Sequence, residues 1–186
     1  DLKRVLEKYK TELSAALEEC LGEAKFINGP PVKVFEDQLS QYLGVSNTIG
    51  TSSGTDALLS IFMLLRSTGW ESQDEVLVTP FTFAASVTSI VRAGLKPVFV
   101  DLSKDSFAPS VKEYEAALTS KTRGILTVHL FGEPTDLGEL KQFCKANNLS
   151  LIEDCAQAMG TTWEGQHVGT FGDAGAFSFF PAKNLG

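Results

Sequence analysis

Glu75-Val76-Leu77-Val78-Thr79 is a short apolar run with no polar residue alternating through its middle, and it is one of a series. Pro97 to Asp101, Gly124 to Val128 and Leu149 to Glu153 follow it, and Thr48 to Thr51 precedes it. A strand with one wet face alternates apolar and polar residues, whereas a nearly continuous apolar run reads as a strand covered by helices on both faces. The intervals between runs each leave room for one crossover helix. The class is therefore α/β, with a mainly parallel sheet and helices on both faces. Such crossovers are right-handed, so the loops leaving the strands collect along one sheet edge, where ligands of open α/β folds bind. Thr51, Pro80, Asp101, His129 and Asp154 are expected at that edge.

Ahead of the strand series, Leu2, Val5, Leu6, Tyr9, Leu13, Leu17, Cys20 and Leu21 fall on one helical face, which predicts an amphipathic helix that must dock on something. Asn28-Gly29-Pro30-Pro31 interrupts the pattern. Val34, Phe35, Leu39, Tyr42 and Leu43 then restart a helical period that Gly44 closes. Residues 1–44 read as an N-terminal helical arm of the kind that reaches a partner subunit, and residues 45–186 as one α/β domain.

With 186 residues, 43% hydrophobic and 21% charged, the chain is long enough to bury a core. A net charge of −7 without a basic stripe argues against nucleic acid as a partner. No apolar run approaches the roughly 20 residues that span a bilayer, and Asp1-Leu2-Lys3-Arg4 lacks the apolar centre of a signal peptide. Cys20, Cys144 and Cys155 make an odd count without metal-type spacing and read as reduced thiols, so the expected location is cytoplasmic. A chain that lacks an initiator methionine and stops at Gly186 reads as a fragment or a trimmed piece.

Three segments carry chemistry. Ser52-Ser53-Gly54-Thr55-Asp56-Ala57-Leu58 follows a strand candidate and opens a helix; its unpaired N–H groups and glycine suit a phosphate, although an ordinary N-cap at Ser53 or Thr55 accounts for the same residues. Asp56 repels such an anion unless it points away. No GxGxxG lies at this turn, so the dinucleotide fingerprint is absent. Asp154 ends a strand candidate, where it either reaches the pocket edge or caps a helix starting at Cys155, while Glu153 points to the opposite side. Lys183 follows the apolar, glycine-rich Gly172 to Phe180, so its amine emerges from a partly desolvated segment that favours a nucleophile. An amine to hold an aldehyde as a Schiff base, a carboxylate to keep a ring nitrogen protonated and a donor-rich turn for a phosphate are the anchoring points of pyridoxal phosphate.

Other residues fit around this frame. Gln157 is placed to meet the cofactor ring or its phenolic oxygen, and Ser178 adds a hydroxyl to the phosphate cradle. Phe83 in Thr79-Pro80-Phe81-Thr82-Phe83 suits stacking on a flat ring, with core packing as the alternative and Phe81 as its rival. His129 reads first as structural. His167 is expected in an exposed turn, and neither histidine has a metal partner at ligand spacing.

Taken together, Gly29-Pro30-Pro31-Val32 with Phe35-Glu36, Ser53 to Leu58, Pro80-Phe81-Thr82-Phe83, Glu153-Asp154-Cys155-Ala156-Gln157-Ala158 and Phe177-Ser178-Phe179 through Lys183-Asn184-Leu185-Gly186 resemble the DegT/DnrJ/EryC1/StrS family of pyridoxal-phosphate-dependent nucleotide-sugar aminotransferases. The resemblance implies the large domain of the aspartate-aminotransferase fold, without its C-terminal small domain. It implies Lys183 as the Schiff-base lysine and proton carrier, Asp154 at the pyridine nitrogen, Gln157 near the phenolic oxygen, Gly54, Thr55 and Ser178 at the phosphate, and Phe83 on the ring. Relatives that dehydrate sugars carry histidine at the Lys183 position, so lysine favours transamination. A nucleotide-linked keto sugar as substrate, glutamate or glutamine as amino donor, and a homodimer are implied as well. Another reaction of the same fold and cofactor, or a non-catalytic regulatory role, stays open at this point.

Overall fold

The computed structural model describes residues 2–104 and 106–185. Gly186, which closes the last of the motifs above, lies outside the described residues. The chain divides into two compact units, Asp1–Gly50 and Thr51–Gly186.

The first unit holds helices α1 (Leu2–Glu23) and α2 (Pro30–Leu43). Proline is tolerated at the first position of α2 because that N–H has no intrahelical acceptor in any case. Gly44 closes the helix in the left-handed conformation at φ 71°, as expected of a C-terminal glycine. On α1 the stripe of Leu6, Leu13, Leu17 and Leu21 is 54 to 60% exposed.

The strand expected at Thr48 to Thr51 does not form. Its polar groups are spent on α2 instead: the Thr48 hydroxyl donates to the Glu36 carbonyl at 2.6 Å, and the Gly50 N–H donates to Glu36 Oε1 at 2.7 Å. The same bonds tie Thr48 and Gly50 to α2 within the first unit.

In the second unit α3 (Gly54–Ser67) leads to β1 (Glu75–Val78), α4 (Ala84–Arg92), β2 (Lys96–Phe99), α5 (Val111–Ala116), β3 (Thr122–Val128), α6 (Leu137–Ala146) and β4 (Ser150–Asp154). A two-stranded antiparallel pair, β5 (Thr162–Trp163) and β6 (Gln166–His167), then precedes β7 (Ala174–Ala176). The described residues form a five-stranded sheet of order β2-β1-β3-β4-β7, with every pairing parallel. Two elements differ from expectation. His167 sits half-buried on β6 rather than in an exposed turn. β7, with the sequence Ala-Gly-Ala, carries too little side chain to announce itself as a strand.

Alternation along the strands explains how both sheet faces are covered. Val76, Val78, Leu126 and Ile152 pack with Leu58 and Phe62 of α3 and Ile90 of α4. Leu77, Ile125 and Leu151 face the other way and pack with Tyr114 of α5 and with Leu140 and Cys144 of α6. The chain steps from β1 outward to β2 and then back past β1 to β3. This reversal leaves a crevice beyond the carboxyl ends of β1 and β3, as in other open α/β sheets.

Candidate active site

A cavity of about 380 Å³ lies at that crevice. Its walls come from the start of α3 (Ser53, Gly54, Thr55), the loops after β1 (Thr82, Phe83), β3 (His129, Leu130) and β4 (Asp154, Gln157), and the segment after β7 (Ser178, Lys183). Every site residue expected from the sequence therefore lines one space.

Asp154 ends β4 with the parity of Ile152, so it emerges on the α3 and α4 side of the sheet. No helix starts at Cys155, which removes the capping alternative. Asp154 Oδ1 instead accepts the Ala156 N–H at 3.1 Å, and Oδ2 accepts the hydroxyl of buried Ser86 at 2.7 Å. Burial pushes the Asp154 carboxyl above the ordinary range; the Ser86 and Ala156 hydrogen bonds and the charge of Lys183 oppose that shift without cancelling it. A cationic ring N–H placed against this carboxylate supplies the counter-charge that burial leaves missing. Ser86, one turn into α4, could not be assigned from sequence: it meets Asp154 only through the fold, 68 positions away.

At the start of α3 the capping expectation is met together with the anion-cradle geometry. Ser53 is the N-cap and accepts the Asp56 N–H at 3.1 Å. Asp56 in turn accepts the hydroxyls of Ser52 at 2.5 Å and Ser53 at 3.0 Å, bonds that draw its carboxyl below the usual range. The N–H groups of Gly54 and Thr55 belong to the first turn and have no intrahelical acceptor, so they stay available to an anion. Ser178 stands against them: a Cβ built on Gly54 would lie 2.9 Å from the Ser178 Cβ. Only glycine lets these two phosphate-binding candidates come this close.

Phe83 is 69% exposed and lines the cavity, which rules out core packing. Phe81 turns away and stacks on Phe107 with ring centroids 5.9 Å apart. Gln157 Oε1 accepts the Phe131 N–H at 3.0 Å, which commits that oxygen and leaves the amide NH₂ as the end free to donate. Phe131 adopts the left-handed conformation at φ 58° to present that N–H. An amine, a buried acid, a ring-sized apolar wall and a donor cradle are the set that pyridoxal phosphate requires, and the residues present fit it.

Behind the cavity wall, the two carboxylates at the end of β4 point to opposite faces. Glu153 is fully buried, and its oxygens accept His129 Nε2 at 3.0 Å and the N–H groups of Gly169, Phe171 and Gly172 at 2.7 to 2.8 Å. His129, Glu153 and Cys155 bring donor atoms within 4.8 Å of one another, but this carboxylate is already saturated and burial holds the Cys155 thiol protonated. Among the described residues no helix is long and apolar enough to cross a membrane.

The family model described as "DegT/DnrJ/EryC1/StrS aminotransferase family" matches residues 7–186. A "pleiotropic regulatory protein" of Geobacillus stearothermophilus is 41% identical over the whole chain, which covers 49% of that protein. The UDP-N-acetyl-3-dehydro-α-D-glucosamine 3-aminotransferase of Acidithiobacillus ferrooxidans is 39% identical over the whole chain and 50% of its own length. NtdA of Bacillus subtilis, solved with its cofactor PMP bound, superimposes with a TM-score of 0.90 at 33% identity, over all of this chain and 41% of that one. The chain spans about half the length of the curated relatives it matches. The match runs through every segment that walls the cavity, and the chain belongs to the DegT/DnrJ/EryC1/StrS aminotransferase family.

Proposed function

We propose that the protein is a pyridoxal-phosphate-dependent aminotransferase that moves an amino group from glutamate, or glutamine, to a keto group on a nucleotide-linked sugar. The observation that carries this reading is the convergence of Lys183, Asp154 and the Gly54–Thr55–Ser178 cradle on one cavity. Family membership and the names of the relatives support the same chemistry.

Bound pyridoxal phosphate supplies an electron sink for the negative charge left when a C–H bond next to nitrogen is broken. Lys183 Nζ would hold the cofactor and would move the proton in both half-reactions. Asp154 would keep the ring nitrogen protonated through its carboxylate, Phe83 would cover the ring, and the Gln157 NH₂ would donate to the phenolic oxygen. Gly54 and Thr55 would bind the phosphate through backbone N–H groups at the helix N-terminus, and Ser178 through its hydroxyl. The protein acts in the cytoplasm as a homodimer, with the exposed leucine stripe of α1 as a docking surface.

The full-length protein purified with pyridoxal phosphate is expected to be yellow, and borohydride to fix the cofactor on Lys183. A Lys183→Ala variant that forms the same fixed adduct overturns the assignment. Amino transfer from glutamate to a panel of nucleotide-linked keto sugars separates this reading from a regulatory role of the kind named for the Geobacillus relative, in which cofactor binds and no amino group moves.

A further inference from the structure

Glu153 lies outside the cavity and touches none of the groups assigned to the reaction, yet it is 0% exposed and joins two separate segments to β4. One is the end of β3, through His129 Nε2 at 3.0 Å. The other is the turn before β7, through the N–H groups of Gly169 at 2.7 Å and of Phe171 and Gly172 at 2.8 Å each. That turn sets the start of β7, and β7 leads directly to Ser178 and Lys183. Asp154 is its immediate neighbour on β4, and His129 is among the residues that line the cavity.

We propose that Glu153 is a positioning residue for the cofactor site, its carboxylate clamping the three segments that carry His129, Asp154 and the Ser178–Lys183 arm at one fixed spacing. The inference rests on the reading of the cavity as a pyridoxal phosphate site. An apolar side chain fills the same space without the cost of burying a charge, but offers no acceptor to four donors. Burial alone pushes this carboxyl up; the bonds from His129, Gly172 and Gly169 outweigh it and hold the group below the usual range, in its acceptor-only form. An ionised carboxylate requires its imidazole partner to donate, so His129 carries its proton on Nε2. Its Nδ1, buried and without a hydrogen-bond partner, is fixed in orientation by that one contact. Glutamine at position 153 keeps the shape and replaces one acceptor oxygen with a donor NH₂ facing donor N–H groups.

The test uses the full-length protein loaded with pyridoxal phosphate and three variants: Glu153→Gln, His129→Leu and His129→Gln, the last of which can place an amide N–H where Nε2–H was. Cofactor affinity by fluorescence titration and the visible circular dichroism of the bound cofactor are read alongside thermal melting. Glu153→Gln and His129→Leu are expected to weaken cofactor binding about tenfold or more and to change the visible dichroic band, because each strands charged-group hydrogen bonds. His129→Gln is expected to retain affinity within about twofold and the wild-type band, since its donor is kept. A folded Glu153→Gln protein with wild-type affinity and band overturns the proposal. If Glu153→Gln does not fold, the histidine pair decides: equal behaviour of His129→Leu and His129→Gln shows that the pair serves stability alone. Wild-type protein that takes up no pyridoxal phosphate overturns the cofactor reading, whereas unchanged variants overturn the clamp and leave that reading intact.

Discussion

At Gly54 a single methyl group decides whether the anion cradle can close. Its Cβ would sit 2.9 Å from the Ser178 Cβ and 3.1 Å from the Phe177 carbonyl oxygen, and a backbone carbonyl cannot swing aside as a flexible side-chain end can. Gly54→Ala must therefore push the segment after β7 away from the α3 N-terminus. Overpacking of this kind costs about 1–3 kcal/mol, so cofactor affinity in the full-length protein is expected to fall about 5- to 150-fold while the far-ultraviolet spectrum stays native. Unchanged affinity in a fluorescence titration would remove Gly54 from the cradle. The same residue shows how much of the site the sequence discloses. Gly54, Asp154, Phe83 and Lys183 stand out because their chemistry is unusual for their local setting: a glycine opening a helix, an acid ending a strand, an aromatic just past a strand, a lysine after an apolar tract. Ser86 and the bonding of Glu153 stay hidden, because a serine in a helix and a glutamate in a strand acquire meaning only from partners 68 and 16 to 24 positions away.

Four of the five expected strands form; in β1, β3 and β4 the apolar runs are buried from both sides, and the pattern that made them legible is the one that holds them, while β2 pairs at the sheet edge with Phe99 exposed. Ile152 in β4 is 0% exposed and packs with the cluster shared by α3 and α4, while Leu151, its neighbour, packs with the cluster under α5 and α6. Ile152→Ala leaves a cavity directly beneath Asp154 and is expected to cost about 2–5 kcal/mol, read as a lower urea midpoint with an unchanged slope. A loss below about 1 kcal/mol would mean that the helices collapse onto the gap, contrary to the tight packing of a two-sided sheet. The failures at this scale have a common cause. Thr48 to Thr51 has strand-like residues but finds its hydrogen bonds on Glu36 and Ser40, and Ala174 to Ala176 has poor strand residues but is supplied with partners by β4. In both cases backbone pairing is settled by what lies alongside, which local propensity does not encode.

The stability of the whole molecule carries the imprint of two adjacent carboxyls shifted in opposite directions. Asp154 is raised above 3.8 by burial, so the folded chain holds this proton more tightly than the unfolded one; its contribution favours folding fully below 3.8 and is lost as pH rises through the folded value. Glu153 is lowered below 4.5 despite its burial, so its contribution is complete above 4.5 and is lost as pH falls through the folded value. At neutral pH the fold therefore bears the cost of this buried carboxyl, and the proposed function explains why it does: a carboxylate there pairs with a protonated ring nitrogen. Asp154→Asn keeps an acceptor for Ser86 and removes the charge. In the cofactor-free full-length protein its urea midpoint is expected to lie above wild type near pH 8, with the difference shrinking toward pH about 4 as the wild-type carboxyl takes up its proton. Added pyridoxal phosphate should then raise the wild-type midpoint far more than that of the variant, because stabilisation by a ligand tracks its affinity for the folded state. A variant less stable than wild type by the same amount at both pH values would show that Asp154 is kept for the fold and not for the ligand.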